Sequence, residues 1–541
     1  MLRQQFVLGI DLGTTNSIGY FHDGRELRVV ENNANRIVPS YIWVKNDGSI
    51  VCGNSAKSGS RNPRNAVITN SKRLIGKMYN RKEVEHVKKH CGVDVIEKGG
   101  KPVFHCVVEK NKRVTEVDIT PIEAASYIIE EIVKRAKALS EKSLGKIIVT
   151  IPANFENNQR VATREAVYNV VRKEGLKESD IEIMNEPTAA GVCYGMDDCS
   201  NTNRTVLVYD FGGGTFDSSI LKISHGAIQV LDHDGDPELG GADCDIAIAN
   251  DLRRKYREVF GVDCMEGIPE RHESTSMRSL LDFASEKKCE LATAESVEVN
   301  LDEIFHLNGG NDSDDEDDED ERLFTYTSYE MNKVIRPIIE KTEVVLERLL
   351  KSNGMTVGDI DSVILVGGSS KLRLVSEMLK DMFGNKIKKD IDSDLCVAQG
   401  ACKYLYNKYS TVPNVPVIQI EDKTRFSLGT EIVGNRVVWI IPSGSRIPCS
   451  FTQRLTTIED WQSRVTSKVI QGKCKDKGYE ESIDEDEHVL LNPYSYTGFR
   501  SELKGVPHFD TTFSYERSGI VHINVVEVET GKTLLDDDFR F

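Results

Sequence analysis

Residues 6–16 read FVLGIDLGTTN, an apolar run that passes into Asp11, Gly13, Thr14 and Thr15. A near copy, VLVYDFGGGTFD, occupies residues 206–217. Residues 6–10 and 206–209 are too short for helices and suit buried strands that end at turns. The chain extends again over 17–22 and 218–223, then reverses at Asp23-Gly24 and His225-Gly226, where glycine favours a tight hairpin. Glycines in the turns leave backbone N–H groups free to approach an anion, and Thr14, Thr15 and Thr215 add hydroxyl donors, so each turn reads as a phosphate cradle. Asp11 and Asp210 would repel phosphate unless a cation lay between them, which predicts Mg²⁺, a hard ion that keeps several waters while bridging carboxylates and phosphate oxygens. Two matching turns imply one ligand between them.

A chain of 541 residues exceeds a single core and predicts two or more domains. The net charge of −17 argues against a protein organised around nucleic acid; nine of these charges fall in 312–321, which leaves −8 for the remainder. The 12 cysteines are scattered without a CxxC pair. Reduced thiols are therefore expected, with neither a disulfide scaffold nor a zinc site. The apolar run near the N-terminus is too short for a signal peptide, and no stretch reaches the ~20 apolar residues of a membrane helix. The terminal DDDFRF carries no retention or lipidation signal. The expected location is the cytoplasm, with the nucleus as the other option.

Up to about residue 410 strands alternate with helices, the mark of an α/β architecture. One helix is especially legible: Thr120 as N-cap, Pro121 at its first position and Glu123 completing a capping box, with Ile122, Ala125, Ile129, Ile132, Ala136 and Leu139 on one face. Gly145 is expected to end it, and 146–151 to form the next strand. The acidic run 312–321 lies between strand-like segments 297–307 and 323–327, so it reads as a solvated hairpin tip. From Thr424 onward, short alternating runs at 436–441, 453–458, 464–471, 509–514 and 520–527 predict a β-sandwich. The organisation expected is a domain over 1–412, a linker over 413–423 and a sandwich over 424–541.

SKRLIGK with Lys72, VTIPANFENNQR, NEPTAAGVCYG, DFGGGTFD, ELGGAD and ILVGGSSKL follow one another in the order found in the heat-shock protein 70 chaperones, which this chain resembles over nearly its whole length. That family lies within the actin, hexokinase and sugar-kinase superfamily. The resemblance implies a duplicated actin-like ATPase fold, two lobes around a nucleotide cleft, followed by the sandwich. It implies ATP and ADP as ligands with Mg²⁺, and K⁺ as an optional companion, and hydrolysis of ATP to ADP and phosphate. Asp11 and Asp210 would hold the metal through water. Gly13, Thr14, Thr15, Gly212, Gly213, Gly214 and Thr215 would cradle the phosphates, Lys72 would reach the γ-phosphate, and Glu186 and Asp217 would position metal waters or the attacking water. Gly240, Gly241, Lys288, Gly367, Gly368, Ser369, Lys371 and Asp394 complete the nucleotide set, with the Gly367-Gly368 pair permitting close backbone approach to adenosine. In the sandwich, Thr430, Val433, Leu455, Val465 and Ser467 match the pocket for one apolar side chain of an extended peptide.

Departures from the family cluster on communication between domains. Ser285 and Cys289 replace a Glu and often an Arg on the adenine-side helix. Gln419 and Glu421 replace apolar linker positions and Val417 a leading Asp; each lost aliphatic contact removes roughly 1.5 to 3 kcal/mol of favourable burial. Thr430 and Ser467 stand where isoleucine is usual, and Glu182 stands where the family has an arginine that meets J-domain co-chaperones. The chain ends directly after the sandwich, so the helical lid of typical members is expected to be absent. Expected partners are unfolded or nascent polypeptides, with a J-domain co-chaperone and a nucleotide exchange factor meeting altered contacts; the acidic tip would offer a basic partner a dock. Two further readings stay open: a nucleotide-binding co-chaperone or scaffold, ribosome-associated as some lidless relatives are, and a sugar kinase.

Overall fold

Each Asp-ended turn caps the central strand of its own sheet, and the two sheets are built alike. The computed structural model describes residues 4–539 except 33–34, 61, 63–64, 89–90, 92, 111–112, 198–202, 225–226, 269, 306–321, 389–390, 411–417, 485–486 and 517–519. The reversal expected at His225-Gly226, the acidic run and the first part of the linker, Val417 included, therefore lie outside the described residues.

In the first lobe, strand Gln5–Asp11 pairs parallel with Ser143–Ile151 and antiparallel with Asn16–His22. In the second, Arg204–Phe211 pairs parallel with Ser362–Val366 and antiparallel with Phe216–Ser224. Next along each sheet stand Ile181–Asn185 and Leu27–Val29 in the first lobe, and Ile387–Lys388 and Ala227–Asp236 in the second. This duplication puts Asp11 and Asp210 at equivalent strand ends. Both central strands are buried on both faces, which explains why they read as continuous apolar runs rather than alternating ones.

The capping box forms as expected: Glu123 N–H donates to Thr120 Oγ1 at 3.1 Å and Thr120 N–H to Glu123 Oε2 at 2.8 Å, starting helix Pro121–Ser140. The helix stops earlier than the sequence reading has it. Glu141 itself takes the left-handed conformation at φ 55°, and Gly145 lies inside the following strand, where a Cβ would press against Gln5 at 3.1 Å. Two strand expectations also shift. The segment from 297 is a strand only as Ser296–Asn300, because Asn300 Oδ1 accepts the Asp302 N–H at 3.1 Å and caps a helical turn, Asp302–Phe305. The strand expected over 453–458 is Cys449–Thr456, fixed by pairing with His508–Tyr515.

Helix Cys396–Tyr409 packs against strand Gln5–Asp11 and helix Glu186–Asp197 at backbone contact distance. A Cβ at Gly400 would sit 1.9 Å from the Ala189 carbonyl oxygen, and one at Gly9 2.5 Å from the Cys402 nitrogen. Strand Gln419–Lys423 then extends the second-lobe sheet, parallel to Ala227–Asp236, with Ile420 packed on the core between the lobes. This stretch of the linker is docked, and Asn185 Nδ2 holds Asp422 Oδ2 at 2.6 Å.

The sandwich packs a five-stranded sheet, Glu480–Ser482, Arg436–Ile441, Ser427–Ile432, Arg464–Gly472 and Val489–Thr497, on a four-stranded one, Cys449–Thr456, His508–Tyr515, Val521–Glu527 and Thr533–Asp538. Leu428, Ile440, Val469, Phe509 and Phe513 form its core. The Tyr515 hydroxyl crosses to the first lobe and donates to Asn157 Oδ1 at 2.5 Å.

Because the Gly400 contact is with backbone, no neighbouring side chain can rotate away. Gly400→Ala is expected to destabilise the chain by about 1–3 kcal/mol, read as a lower midpoint in urea unfolding.

Candidate functional site

Lys72 is the cation at the centre of an acidic cluster. It sits on a short helical turn, Ser71–Leu74, entered through Asn70 at φ 56°. Its Nζ lies 2.9 Å from Oε1 of Glu186, the first residue of helix Glu186–Asp197, and the two side chains are 9% and 10% exposed. Asp210 and Asp217 stand opposite each other across the second-lobe hairpin. Burial pushes the Asp11 carboxyl up to about 7, with Glu186 adding repulsion and Lys72 opposing it. Asp210 is raised well above the carboxylate range by burial, then by Glu186, Asp217 and Asp11. Burial likewise lifts Asp217 to about 7, against the pull of Arg425. Four carboxyl groups thus share one ammonium in a site shielded from water.

Backbone contacts hold the turns in shape. Ser40 reaches the first from both its N–H, to the Thr15 carbonyl, and its hydroxyl, to the Gly13 carbonyl, each at 2.8 Å. In the second, Gly212 N–H donates to the Thr215 carbonyl at 3.1 Å. Gly240 leads into helix Gly241–Phe260, whose Gly241 and Ala242 N–H groups donate to the Gly212 and Gly213 carbonyls at 2.9 Å. A Cβ at Gly213 would fall 2.1 Å from Thr15 Oγ1 and one at Gly214 2.9 Å from Thr14, so the two turns face each other directly. Lys288 joins this wall through Asp245 at 2.7 Å and the Gly241 carbonyl at 3.0 Å. Ser369 touches it too, for a Cβ at Gly241 would stand 2.2 Å from its Oγ.

The Gly367-Gly368 loop packs on the second turn. Gly367, at φ 79°, abuts the base of the second turn, where a Cβ would lie 2.5 Å from the Phe211 carbonyl oxygen. Its lack of a side chain serves loop-on-loop packing. Beyond it Lys371 and Asp394 form an ion pair. Arg73, which the sequence reading passed over, is buried beside Gly214 with Asp243 at 3.8 Å; its signal was adjacency to Lys72. Tyr41 and Ser60 hydroxyls cross from the first lobe to Asp282 of the second at 2.9 and 3.1 Å, closing over a cavity of about 50 Å³ that Thr14, Thr15 and Ser285 help to line.

The family model described as Hsp70 protein matches residues 7–534. This chain belongs to the Hsp70 family. The Chaperone protein DnaK of Buchnera aphidicola subsp. Schizaphis graminum (strain Sg) is similar to it, 31% identical over 532 residues that cover 97% of this chain and 77% of that protein. The paired actin-like lobes and the β-sandwich are the architecture of this chaperone family. No helix among the described residues is long and apolar enough to cross a membrane.

Against that family pattern, two regions of this Hsp70 have chemistry of their own. In the sandwich, Thr430 and Ser467 face the space between the sheets and bond to each other at 2.6 Å, with the Tyr494 hydroxyl 2.8 Å from Thr430. Val465 stands opposite Tyr496 and packs half-buried on the core, Leu455 stands opposite Phe509 on the other sheet, and Val433 is 63% exposed at a hairpin tip. The structure gathers Thr430 and Ser467 into a buried hydroxyl knot and leaves Val433 outside it, because Tyr494 supplies the third hydroxyl from the adjacent strand.

The second region is the junction between the lobes and the sandwich. Glu182 is bound there by Lys408 at 2.8 Å. His233, on strand Ala227–Asp236, has its Nε2 shut from solvent without a partner among the described residues. Burial and the nearby Arg425, Arg160 and Lys423 lower its pKa to about 3. The ring is therefore neutral in the folded chain, whereas the unfolded chain takes up its proton below about pH 6.5. Stability should fall as pH drops from about 6.5 towards 3. His233→Asn should remove this component, narrowing the pH dependence of urea midpoints by up to about 1.4 kcal/mol per pH unit.

Proposed function

We propose that this protein is an ATP-hydrolysing chaperone of the Hsp70 type that binds exposed apolar segments of unfolded or nascent polypeptides. The observation that carries this reading is the cluster of Asp11, Asp210, Asp217 and Glu186 around Lys72, set between two facing turns. Buried carboxylates in excess of cations are unstable unless a further cation joins them. Both oxygens of Asp217 are buried with no side-chain hydrogen-bond partner among the described residues, as fits a group that meets a metal-held water.

Mg²⁺ would be held by Asp11 and Asp210, and when bound it would neutralise phosphate and carboxylate charge. The remaining work falls to the chain. Backbone N–H groups and hydroxyls of Gly13 to Thr15 and Gly212 to Thr215 grip the phosphates. Lys72, steadied by Glu186, meets the γ-phosphate, and Asp217 orients the attacking water. Phosphoryl transfer to water needs little beyond such positioning and charge balance. Lys288, Ser369, Lys371 and Asp394 stand on the side where the nucleoside would lie.

The hydroxyl knot of Thr430, Ser467 and Tyr494 favours a second reading, a co-chaperone or scaffold whose sandwich holds apolar side chains weakly and whose turnover is indifferent to peptide. An apolar side chain gains less from a pocket floored by hydroxyls than from one of isoleucine.

Two measurements test the proposal. Lys72→Ala should reduce ATP hydrolysis to background while leaving the ATP dissociation constant within a few-fold; an equal loss of binding would count against its catalytic role. Steady-state hydrolysis by the wild type should rise several-fold with an unfolded apolar peptide. Tight ATP binding with slow, peptide-indifferent turnover would favour the scaffold.

A further inference from the structure

Strand Gln419–Lys423 runs parallel to Ala227–Asp236 with Ala227 opposite Gln419 and Gln229 opposite Glu421. Beyond the paired residues, Lys423 Nζ donates to the Leu231 carbonyl at 2.9 Å. Arg425 follows two residues on and lies near His233 of the same strand. On the next strand inward Asp217 stands opposite Gly235, where a Cβ would crowd Asp217 Oδ1 at 2.9 Å. Glycine leaves that approach clear, and the guanidinium of Arg425 enters it, with Nη1 4.0 Å from Asp217 Oδ1.

Both groups are withdrawn from solvent, the side chains being 14% and 3% exposed. Arg425 Nη1 is buried without a hydrogen bond among the described residues, and the buried Asp217 oxygens have no side-chain hydrogen-bond partner there. Of the other carboxylates that feel this guanidinium, Asp232 accepts from Asn353 Nδ2 at 2.9 Å, Asp234 accepts from Arg348 Nη2 at 3.0 Å, and Glu156 is drawn more strongly to Lys77. Arg160, the other charged neighbour, adds positive charge, so Asp217 is the counter-ion the site offers. A guanidinium does not deprotonate on burial and must find one.

We infer that Arg425, carried at the entrance to the sandwich, is a positioning residue of the ATPase centre, supplying from the docked sandwich the cation that orients and charge-balances Asp217. The inference rests on the ATPase reading above. It makes the catalytic carboxylate directly dependent on domain docking, through one side chain rather than through the apolar contacts absent at Gln419 and Glu421.

The test is single-turnover ATP hydrolysis by the full chain as wild type, Arg425→Ala, Arg425→Lys and Tyr515→Phe, with docking followed by small-angle scattering. Tyr515→Phe removes a different bond between sandwich and lobe and controls for looser docking. Arg425→Ala should slow hydrolysis at least about tenfold with the ATP dissociation constant within about twofold. Arg425→Lys should fall between, and millimolar guanidinium chloride should restore Arg425→Ala several-fold while leaving the wild type unchanged. Wild-type rates in Arg425→Ala, or an equal loss in Tyr515→Phe at similar docking, would overturn the inference. A wild type that binds ATP without turnover would remove the ATPase reading itself, an outcome visible before any variant is compared.

Discussion

Four carboxyl groups held out of water beside a single ammonium set the terms for the rest of this molecule. Asp11 and Asp210 end equivalent strands of duplicated sheets, Asp217 faces Asp210 across a hairpin, and Glu186 opens a helix aimed at Lys72. Their mutual repulsion and burial raise the pKa values of Asp11, Asp210 and Asp217, so the folded chain without a further cation is strained electrostatically. Such a centre invites charge from outside: a hydrated divalent ion, the ammonium of Lys72 and the guanidinium of Arg425. Rigid surroundings are needed to hold the groups together against repulsion, and the glycine contacts between turns and between helices supply that rigidity.

The junction with the sandwich shows the same economy. Linker positions that resemble apolar family positions are polar here, yet the strand Gln419–Lys423 is docked by backbone pairing to the second-lobe sheet, and Asp422 is held by Asn185. Main-chain hydrogen bonds do not depend on side-chain identity, which is why Gln419 and Glu421 are tolerated in this strand. Specificity for the docked arrangement then comes from polar contacts, among them Asp422 with Asn185, Tyr515 with Asn157 and Arg425 with Asp217. Removing one partner of a buried polar pair is costly, so these few bonds make the arrangement sensitive to small chemical changes.

In the sandwich, Thr430 and Ser467 each look in the sequence like a lost apolar contact. Together with Tyr494 they form one closed hydroxyl network, a satisfied polar cluster rather than two defects. A similar lesson applies to Glu182, a reversed charge in the sequence and an ion-paired group beside Lys408 in the fold.

The sequence by itself determined the strand-turn-strand units, the duplicated α/β plan, the capped helix from Pro121 and the run of sandwich strands, because each is written in local periodicity and turn chemistry within a few tens of residues. The Asp-Gly turns also marked the acidic strand ends, whereas Lys72 and Glu186 were marked only through the resemblance of their motifs to the chaperone family. Helix and strand limits drifted where a non-glycine residue took the left-handed cap, as Glu141 does, or where Asn300 capped a turn that periodicity does not reveal. Tertiary structure alone decided which distant groups meet: Gly367 against Phe211, Tyr41 with Asp282, Thr430 with Tyr494 and Arg425 with Asp217. Those contacts follow from sheet register and domain docking, which bring together residues as far apart as Tyr515 and Asn157, 358 positions, and no spacing along one chain records that three-dimensional proximity.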